Sequence, residues 1–188
     1  MKKLSYIVVL ALMLVGCSYK NNPVVLESYK ADYSGEIAPK NTTVFLSSVK
    51  DTRLDKRSIG YVLEGDKKAV TLFSEDDFEK KYKDGLGHAL NIAGFDTDVK
   101  KNEATLVVNI FIKEINVVYT NESFDENLKG KIMIEASVKK GDKTLTFNFK
   151  QQSGKWISPS YNSKDVAPLL HMLFSDSIND VVAKLTSL

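Results

Sequence analysis

Few side chains in this sequence of 188 residues have the chemistry of a reactive site. It contains one cysteine, Cys17, and two histidines, His88 and His171. The cysteine ends the stretch Leu-Val-Gly-Cys at positions 14–17, directly after an apolar run. A thiolate is a nucleophile that can carry a covalent group, whereas an imidazole serves as a general base or a metal ligand. The question is which of these three side chains the rest of the chain positions for chemistry.

The first residues have the order of a secretory signal. A pair of lysines precedes an almost wholly apolar stretch at residues 4–15, and the small Gly16 comes directly before Cys17. The apolar stretch is shorter than the ~20 residues that a membrane-spanning helix needs. We therefore interpret residues 1–16 as a signal peptide that is removed. The alternative is a plain signal peptide followed by an unmodified cysteine.

The four residues that end at Cys17 match the bacterial lipobox: Leu, a tolerant position, a small residue and Cys. The match implies cleavage before Cys17, a thioether-linked diacylglycerol on its sulfur, and acylation of the new amino group, with palmitate as the expected chain. Two or more acyl chains anchor a protein stably, whereas one gives marginal binding. Lipoproteins with Asp after the cysteine are retained at the inner membrane. Ser18 therefore favours the outer membrane, with the domain facing the periplasm.

The charge balance gives no indication of nucleic-acid binding, which requires a basic surface. The chain has 26 Lys and Arg against 24 Asp and Glu, and the excess equals the two lysines of the signal peptide. Since there is no second cysteine, an internal disulfide is excluded and stability must come from a packed core. We expect the lipidated Cys17 and a tether over residues 17–40, followed by one domain over residues 41–188.

A shared histidine site would require His88 and His171 to meet a carboxylate. Asp84 is the one acidic residue a helical turn away from either histidine. The sequence has no Gly-x-Ser-x-Gly motif, and Gly85-x-Gly87 lacks the other glycines of a phosphate loop. We therefore expect no enzymatic activity, no metal site and no cofactor. An unrecognised hydrolase is the alternative, and it requires a cleft that joins a histidine to Asp and Ser.

Two periodicities predict the elements of the domain. Stretches rich in β-branched and aromatic residues predict six strands, at 43–49, 58–63, 69–73, 105–119, 129–139 and a return strand through Leu145, Phe147 and Phe149. In the longest strand the apolar positions change parity near Lys113 and Glu114, which predicts a bulge or a strong bend. For Val24 to Leu26, inside the tether, a short docking strand and a free linker are both open.

Apolar residues at helical spacing predict two helices. The first begins after Ser74 as N-cap and ends at Gly94, and Gly85 and Gly87 within it suggest close approach to the sheet. The second is capped by Ser163 or Asp165 and carries a broad apolar stripe. The predicted fold class is α+β: a mostly antiparallel sheet with two amphipathic helices packed on one face.

This arrangement, together with the lipobox, resembles the YajG family of uncharacterised bacterial lipoproteins. The resemblance extends over residues 43–186. It lies in the stretch from Val44 to Val49 with the following Asp51-Thr52-Arg53, the pair Ile59-Gly60, the helix end Ala93-Gly94-Phe95, and the terminal helix around Phe174. It implies an outer-membrane-anchored periplasmic domain with no known activity and no catalytic residue. A more distant likeness is to auxiliary lipoproteins of envelope lipid transporters.

Four residues form the candidate interaction loops. Asp51 and Arg53 follow the first strand, where they could bind an anion or a partner, or could form an ion pair that stabilises the loop. Trp156 and Tyr161 lie in an irregular segment, where aromatic side chains serve either an interface or the cover of the core. The leading hypothesis is a non-enzymatic binding or structural module that meets an envelope protein, its small-molecule ligand unassigned. The alternative is a lipid-transport accessory that holds an acyl chain between helix and sheet.

Overall fold

The computed structural model describes residues 21–121, 126–158 and 161–188. The predicted signal peptide, the lipobox with Cys17, and Ser18 lie outside these ranges. The described residues form six strands and two helices: β1 (Val44–Asp51), β2 (Ser58–Glu64), β3 (Lys67–Phe73), α1 (Phe78–Ile92), β4 (Leu106–Thr120), β5 (Leu128–Lys140), β6 (Lys143–Lys155) and α2 (Ser163–Thr186). The predicted α+β class and the predicted order of elements are confirmed.

Strand β4 is the centre of the sheet, and its two edges are used differently. One edge pairs with β5 in antiparallel fashion from Leu106 to Tyr119, and β6 continues the meander beyond β5. The other edge is shared by two strands that both run parallel to it. β1 pairs with the first half of β4, and β2 pairs with its last residues, with β3 antiparallel outside β2. The sheet is therefore mixed but mostly antiparallel.

The predicted bulge in β4 is confirmed. The register against β5 shifts between Ile112 and Glu114, which leaves Lys113 as the extra residue. One extra residue restores the apolar face after a change of parity, so Ile112 and Ile115 are both buried. β1 pairs with β4 only up to Ile112. The bulge therefore lies where β1 stops pairing with β4 and the loop before β2 begins.

Gly60 lets β2 reach β4 closely. Its φ is 147°, and a Cβ built there would lie 1.8 Å from the carbonyl oxygen of Val117. No residue with a side chain fits this approach of two backbones. Within the Ile59-Gly60 pair, glycine is therefore required at position 60 by the close approach of β2 to β4.

The two helices pack on one face of the sheet and on each other. α1 contacts β1, and α2 contacts β5 and β6. Between the helices the rings of Phe78 and Phe174 stack with centroids 5.6 Å apart, and Tyr82 meets Phe174 edge-on at 5.9 Å. Neither helix within the described ranges combines the length and apolar character needed to cross a membrane.

Two of the predicted helix caps are wrong, and one is confirmed. Asp77, not Ser74, caps α1 and accepts a hydrogen bond from the Lys80 amide at 2.9 Å. Ser74 is buried, and it directs its hydroxyl to Asp76 instead. α2 is capped by Asn162, one residue before the predicted position. Gly94, with a φ of 82°, ends α1 as predicted.

Residues 21–40 lie along the domain and do not form a strand. Val24 and Leu26 are buried, and the Val24 amide donates to the Phe73 carbonyl at 2.8 Å. The segment then follows α1 to its C-terminal end, where the Ala38 amide donates to the Ala93 carbonyl at 2.7 Å. Of the two alternatives for Val24 to Leu26, docking occurs, through buried side chains and single hydrogen bonds.

Gly85 is a point of close approach between this segment and α1. A Cβ at Gly85 would lie 2.7 Å from the Cβ of Tyr29 and 2.8 Å from Cδ1 of Ile178. The close approach predicted for Gly85 is therefore made to the docked segment and to α2, not to the sheet. A Cβ at Gly87 would meet no atom within 4 Å, so the prediction for that glycine is wrong.

The sheet has two ends, which we name by their hairpin turns. At the β2–β3 end lie the turn after Glu64, the last residue of β4 at Thr120, and the register row Tyr119, Leu128 and Lys155. At the β5–β6 end lies the turn at Gly141, beside the beginning of β4.

Candidate functional site

Asp51 and Arg53 form a buried ion pair. Their side chains are 3% and 7% exposed, and Nη2 of Arg53 lies 2.7 Å from Oδ2 of Asp51. Nε of Arg53 adds contacts of 3.0 and 3.2 Å to the two carboxylate oxygens, so the fork of the guanidinium faces the carboxylate. This geometry makes a strong, charge-assisted pair.

The remaining donors of Arg53 close the loop between β1 and β2. Nη1 donates to the Ser58 carbonyl at 2.6 Å, Nη2 donates to the Lys56 carbonyl at 2.7 Å, and the guanidinium lies 5.2 Å from the Phe78 ring centroid. The arrangement corresponds to the alternative in which an ion pair stabilises the loop. The guanidinium faces the protein, so it does not present a surface to an external anion.

Glu79 connects the same loop to α1. Its Oε1 accepts from the Asp51 amide at 3.0 Å and from Nζ of Lys56 at 2.8 Å. The hydrogen bond from Lys56, followed by that from the Asp51 amide, lowers the pKa of the Glu79 carboxyl. Glu79 thus stays ionised and holds the loop against the first turn of the helix.

Trp156 and Tyr161 have opposite environments. Trp156 is 54% exposed, whereas Tyr161 is buried with its ring centroid 5.9 Å from that of Tyr119. Burial, with the nearby Asp165 charge, raises the pKa of Tyr161 to about 12. The expectation that Trp156 covers the end of the core is wrong, because Tyr161 and Ile157 cover it.

Asn127 fixes this segment, although no periodic pattern along the chain points to this residue. Its side chain is fully buried and exchanges two hydrogen bonds with the Ile157 backbone, each 2.8 Å long. The Asn127 side-chain amide therefore forms the same pair of hydrogen bonds that a neighbouring strand would form, and these bonds hold the chain in place after β6. This contact positions Trp156 at the surface.

The four predicted interaction residues do not form one site. Asp51 lies opposite Ile112 of β4, whereas Tyr161 packs on Tyr119, seven residues further along the same strand. At a rise of ~3.3 Å per residue the two positions are roughly 20 Å apart. The ion pair and the aromatic segment belong to different parts of the surface.

The histidines lie on either side of the docked segment. His88 lines a cleft of about 200 Å³ together with Ser28, Tyr29 and Asp84. In the described part of the chain no hydrogen bond joins Ser28 to His88 or His88 to Asp84, and Asp84 pairs with Lys80. A serine nucleophile would need both bonds. The cleft thus holds the residue types of the hydrolase alternative without the contacts that would make them act together.

The metal site and the acyl-chain site are two further possibilities that the described residues can be compared with. They contain no group of three or more His, Cys, Asp and Glu side chains placed to hold a metal ion. Phe78, Leu86, Leu173 and Phe174 are all buried, and the cavity beside Phe174 measures about 10 Å³. A space of that size holds at most about one water molecule. The alternative of an acyl chain between helix and sheet therefore gains no support from the space around these four residues.

Two wide clefts open along the sheet on the side away from the helices and at its β5–β6 end. A cleft of about 520 Å³ lies across β4, β5 and β6, and its lining includes Asn116, Lys129, Lys131, Gln152 and Ser153. A second cleft, of about 560 Å³, lies at the β5–β6 end between Lys101 and Asp142. Both are open clefts in which polar side chains lie beside apolar surface. They can accept hydrogen-bonding groups, but they do not enclose a ligand.

Comparison with known proteins identifies relatives by sequence and by fold. A family model described as an uncharacterized lipoprotein matches residues 33–184. The crystal structure of protein XCC0632 from Xanthomonas campestris, assigned to DUF330, has a TM-score of 0.53 at 10% identity, covering 87% of this chain and 90% of that chain. A second crystal structure, of an uncharacterized protein, has a TM-score of 0.51 at 8% identity, covering 86% and 99%. At these identities the likeness shows the fold alone. A sequence comparison with curated proteins gives no match.

Proposed function

This chain belongs to the family of uncharacterized lipoproteins whose model matches residues 33–184, and from that membership we propose that it is an outer-membrane lipoprotein acting in the periplasm as a non-enzymatic binding or structural module of the cell envelope. Membership implies a membrane lipid anchor. The lipobox supports Cys17 as the lipidated residue, and Ser18 and the likeness to YajG lipoproteins support the outer membrane.

The observation that carries the binding role is the uncovered outer face of the sheet. The inner face is covered by α1 and α2 over a continuous core, and the cavity beside Phe174, between the two helices and the docked segment, measures only about 10 Å³. On the outer face of β6, the side chains Thr144, Thr146, Asn148, Lys150 and Gln152 are exposed and alternate with inward residues. A partner must therefore be recognised on the surface, and this face supplies donors and acceptors across three strands.

The charges of this face favour a polar protein surface as the partner. Lys131 pairs with Glu114 at 2.6 Å, and Lys113 pairs with Glu135 at 3.3 Å, so lysines and acids of β4 and β5 neutralise each other in two ion pairs on this face. Such a pattern does not attract a polyanion, which requires a field of one sign. It fits the polar, hydrogen-bonding rim of a protein interface. No enzymatic activity is part of this proposal.

Site-specific photo-crosslinking in cells tests the proposed face. A photoreactive residue at Gln152 lies on the outer face of β6, whereas the same residue at the exposed Lys83 lies on α1, on the other side of the domain. We expect Gln152 to give a discrete crosslink to one envelope protein and Lys83 to give none. Equal products from both positions, or none from Gln152, would contradict the proposal.

The anchor has a separate test. Cys17→Ala should abolish metabolic labelling with palmitate and release or mislocalise the protein in membrane fractionation, since the diacylglycerol is attached through the Cys17 sulfur. Ser18→Asp, which keeps the cysteine, should retain labelling and move the protein to the inner membrane. Unchanged labelling of Cys17→Ala would place the lipid elsewhere.

A further inference from the structure

The point where the chain joins the domain is fixed by two hydrogen bonds. Nδ2 of Asn21 donates to the Thr71 carbonyl at 3.1 Å, and the Val24 amide donates to the Phe73 carbonyl at 2.8 Å. As residue numbers fall from Val24 to Asn21, the contacts on β3 move back towards the turn between β2 and β3. The chain therefore enters the domain from the β2–β3 end.

The distance from the anchor to this entry point is short. Cys17 precedes Asn21 by four residues, and a chain of that length spans at most ~14 Å. Thr71 lies four residues after Lys67, the first residue of β3, which corresponds to about the same distance along the strand. A lipid on Cys17 thus keeps the β2–β3 end close to the bilayer surface. Residues 24–38 add no free length to this connection, because the buried side chains Val24, Leu26, Tyr33 and Ala38 attach them to the domain.

An exposed aromatic side chain lies at the same end of the sheet. Leu63 pairs with Thr120, while Tyr119 pairs with Leu128 and Leu128 pairs with Lys155, so the residue after Lys155 belongs to this end. That residue is Trp156, which is 54% exposed. Tryptophan favours the membrane–water interface, where its ring meets the acyl boundary and its N–H stays hydrated.

Cations accompany the tryptophan at the β2–β3 end. Lys67 and Lys68 begin β3, next to the exposed acids Glu64 and Asp66 of the same turn, and Nζ of Lys68 lies 4.2 Å from the Tyr61 ring centroid. Lys155 directly precedes Trp156. Lysines beside an aromatic ring at the headgroup level are typical of surfaces that rest on lipid.

We propose that the β2–β3 end of the domain faces the lipid surface in which Cys17 is anchored, and that Trp156 contacts the headgroup–acyl boundary of that leaflet. The inference rests on the proposed lipid anchor at Cys17. β3 and β6 are separated by four strand spacings, about 19 Å. The acyl chains therefore attach the β3 side of this end to the membrane, and Trp156 attaches the β6 side. Two attachment points set the orientation of the domain, and the outer face of the sheet is then directed along the membrane, into the periplasm.

Trp156 is the single tryptophan of the chain, so its own fluorescence reports the contact. The lipidated protein, purified from membranes, is reconstituted into phosphatidylcholine vesicles whose lipids are brominated near the glycerol end of one acyl chain. Bromine quenches tryptophan on contact. We expect a blue shift of the emission and loss of the larger part of its intensity relative to unbrominated vesicles, and flotation of the vesicles measures anchoring in the same sample.

Two matched variants locate the contact on the molecule. Both carry Trp156→Phe; one adds Lys67→Trp at the β2–β3 turn, and the other adds Asp142→Trp at the β5–β6 turn, both at exposed positions. We expect quenching for Lys67→Trp and none for Asp142→Trp. If the protein floats with the vesicles but Trp156 is unquenched, or if Asp142→Trp is quenched as strongly, the proposed orientation is wrong although the anchor stands. If the protein does not float, the lipid anchor itself fails, and the inference fails with it.

Discussion

Arg53 shows how a motif that suggests binding can serve the fold. Its guanidinium faces Asp51, two backbone carbonyls and the Phe78 ring, and almost none of it reaches solvent. A few residues later, Arg57 pairs with Glu75 at 3.2 Å with both side chains 68% exposed. The same residue type in one loop thus has two different energetic roles, because only one of the two pairs is desolvated.

Replacing each arginine with Met separates these roles. Arg53→Met leaves the Asp51 carboxylate buried without its partner, which should lower the free energy of unfolding by about 3–5 kcal/mol. Arg57→Met removes an exposed pair and should cost about 0–1 kcal/mol. Urea unfolding followed by circular dichroism measures both. Equal costs for the two variants would show that the Asp51–Arg53 pair does not stabilise the fold as described.

At the scale of elements, α1 depends on what packs against it as much as on its own sequence. Gly85 and Gly87 both lower helix propensity, yet only Gly85 has neighbours, Tyr29 and Ile178, that exclude a Cβ. Asp76, just before α1, and Lys81, near its beginning, also bind the docked segment. The Leu26 amide donates to Asp76 at 2.5 Å, and Lys81, which pairs with Asp76 at 3.0 Å, donates to the Leu26 carbonyl.

Alanine at the two glycines of α1 should have opposite effects. Gly87→Ala adds a methyl group in open space and should raise the free energy of unfolding by up to ~1 kcal/mol. Gly85→Ala should lower it by about 1–3 kcal/mol, because the new Cβ forces Tyr29 or Ile178 to move. Thermal unfolding of both variants gives the comparison. Stabilisation by Gly85→Ala would mean that the docked segment does not lie against this position.

For the whole molecule, the docked segment joins the anchor to the domain without a free tether over residues 24–38. Tyr29 donates to Oδ1 of Asn179 at 2.7 Å, which ties the segment to α2 as well as to α1. Burial, with the nearby Asp32, raises the pKa of the Tyr29 hydroxyl to about 12, so it remains a donor at any physiological pH. The segment therefore contributes to the core and fixes where the membrane lies relative to the sheet.

Neighbouring residues of this segment should differ sharply in their contribution to stability. Leu26 is 3% exposed and Val25 is 65% exposed. Leu26→Ala should lower the free energy of unfolding by about 3 kcal/mol, and Val25→Ala should change it by less than about 0.5 kcal/mol. Both variants should unfold in a single urea transition. A negligible effect of Leu26→Ala would show that the segment is not part of the folded domain.

The sequence by itself determined the features that depend on local patterns. Period-two and helical apolar spacing gave six strands, two helices and the bulge at Lys113, because each pattern records which face of one element is buried. The lipobox is likewise a local signal. The α+β class followed from the order of these elements.

Only the tertiary structure decided the features that depend on contacts between distant residues. Asp76 and Lys81 hold the peptide of the buried Leu26, and Asn127 holds the backbone of Ile157, the residue directly after the exposed Trp156. No periodicity within residues 21–40 or 156–161 encodes these partners, since they lie tens of residues away. For the same reason the sequence left open how the Asp51–Arg53 loop lies relative to Trp156 and Tyr161, and the length of β4 places them in separate parts of the surface.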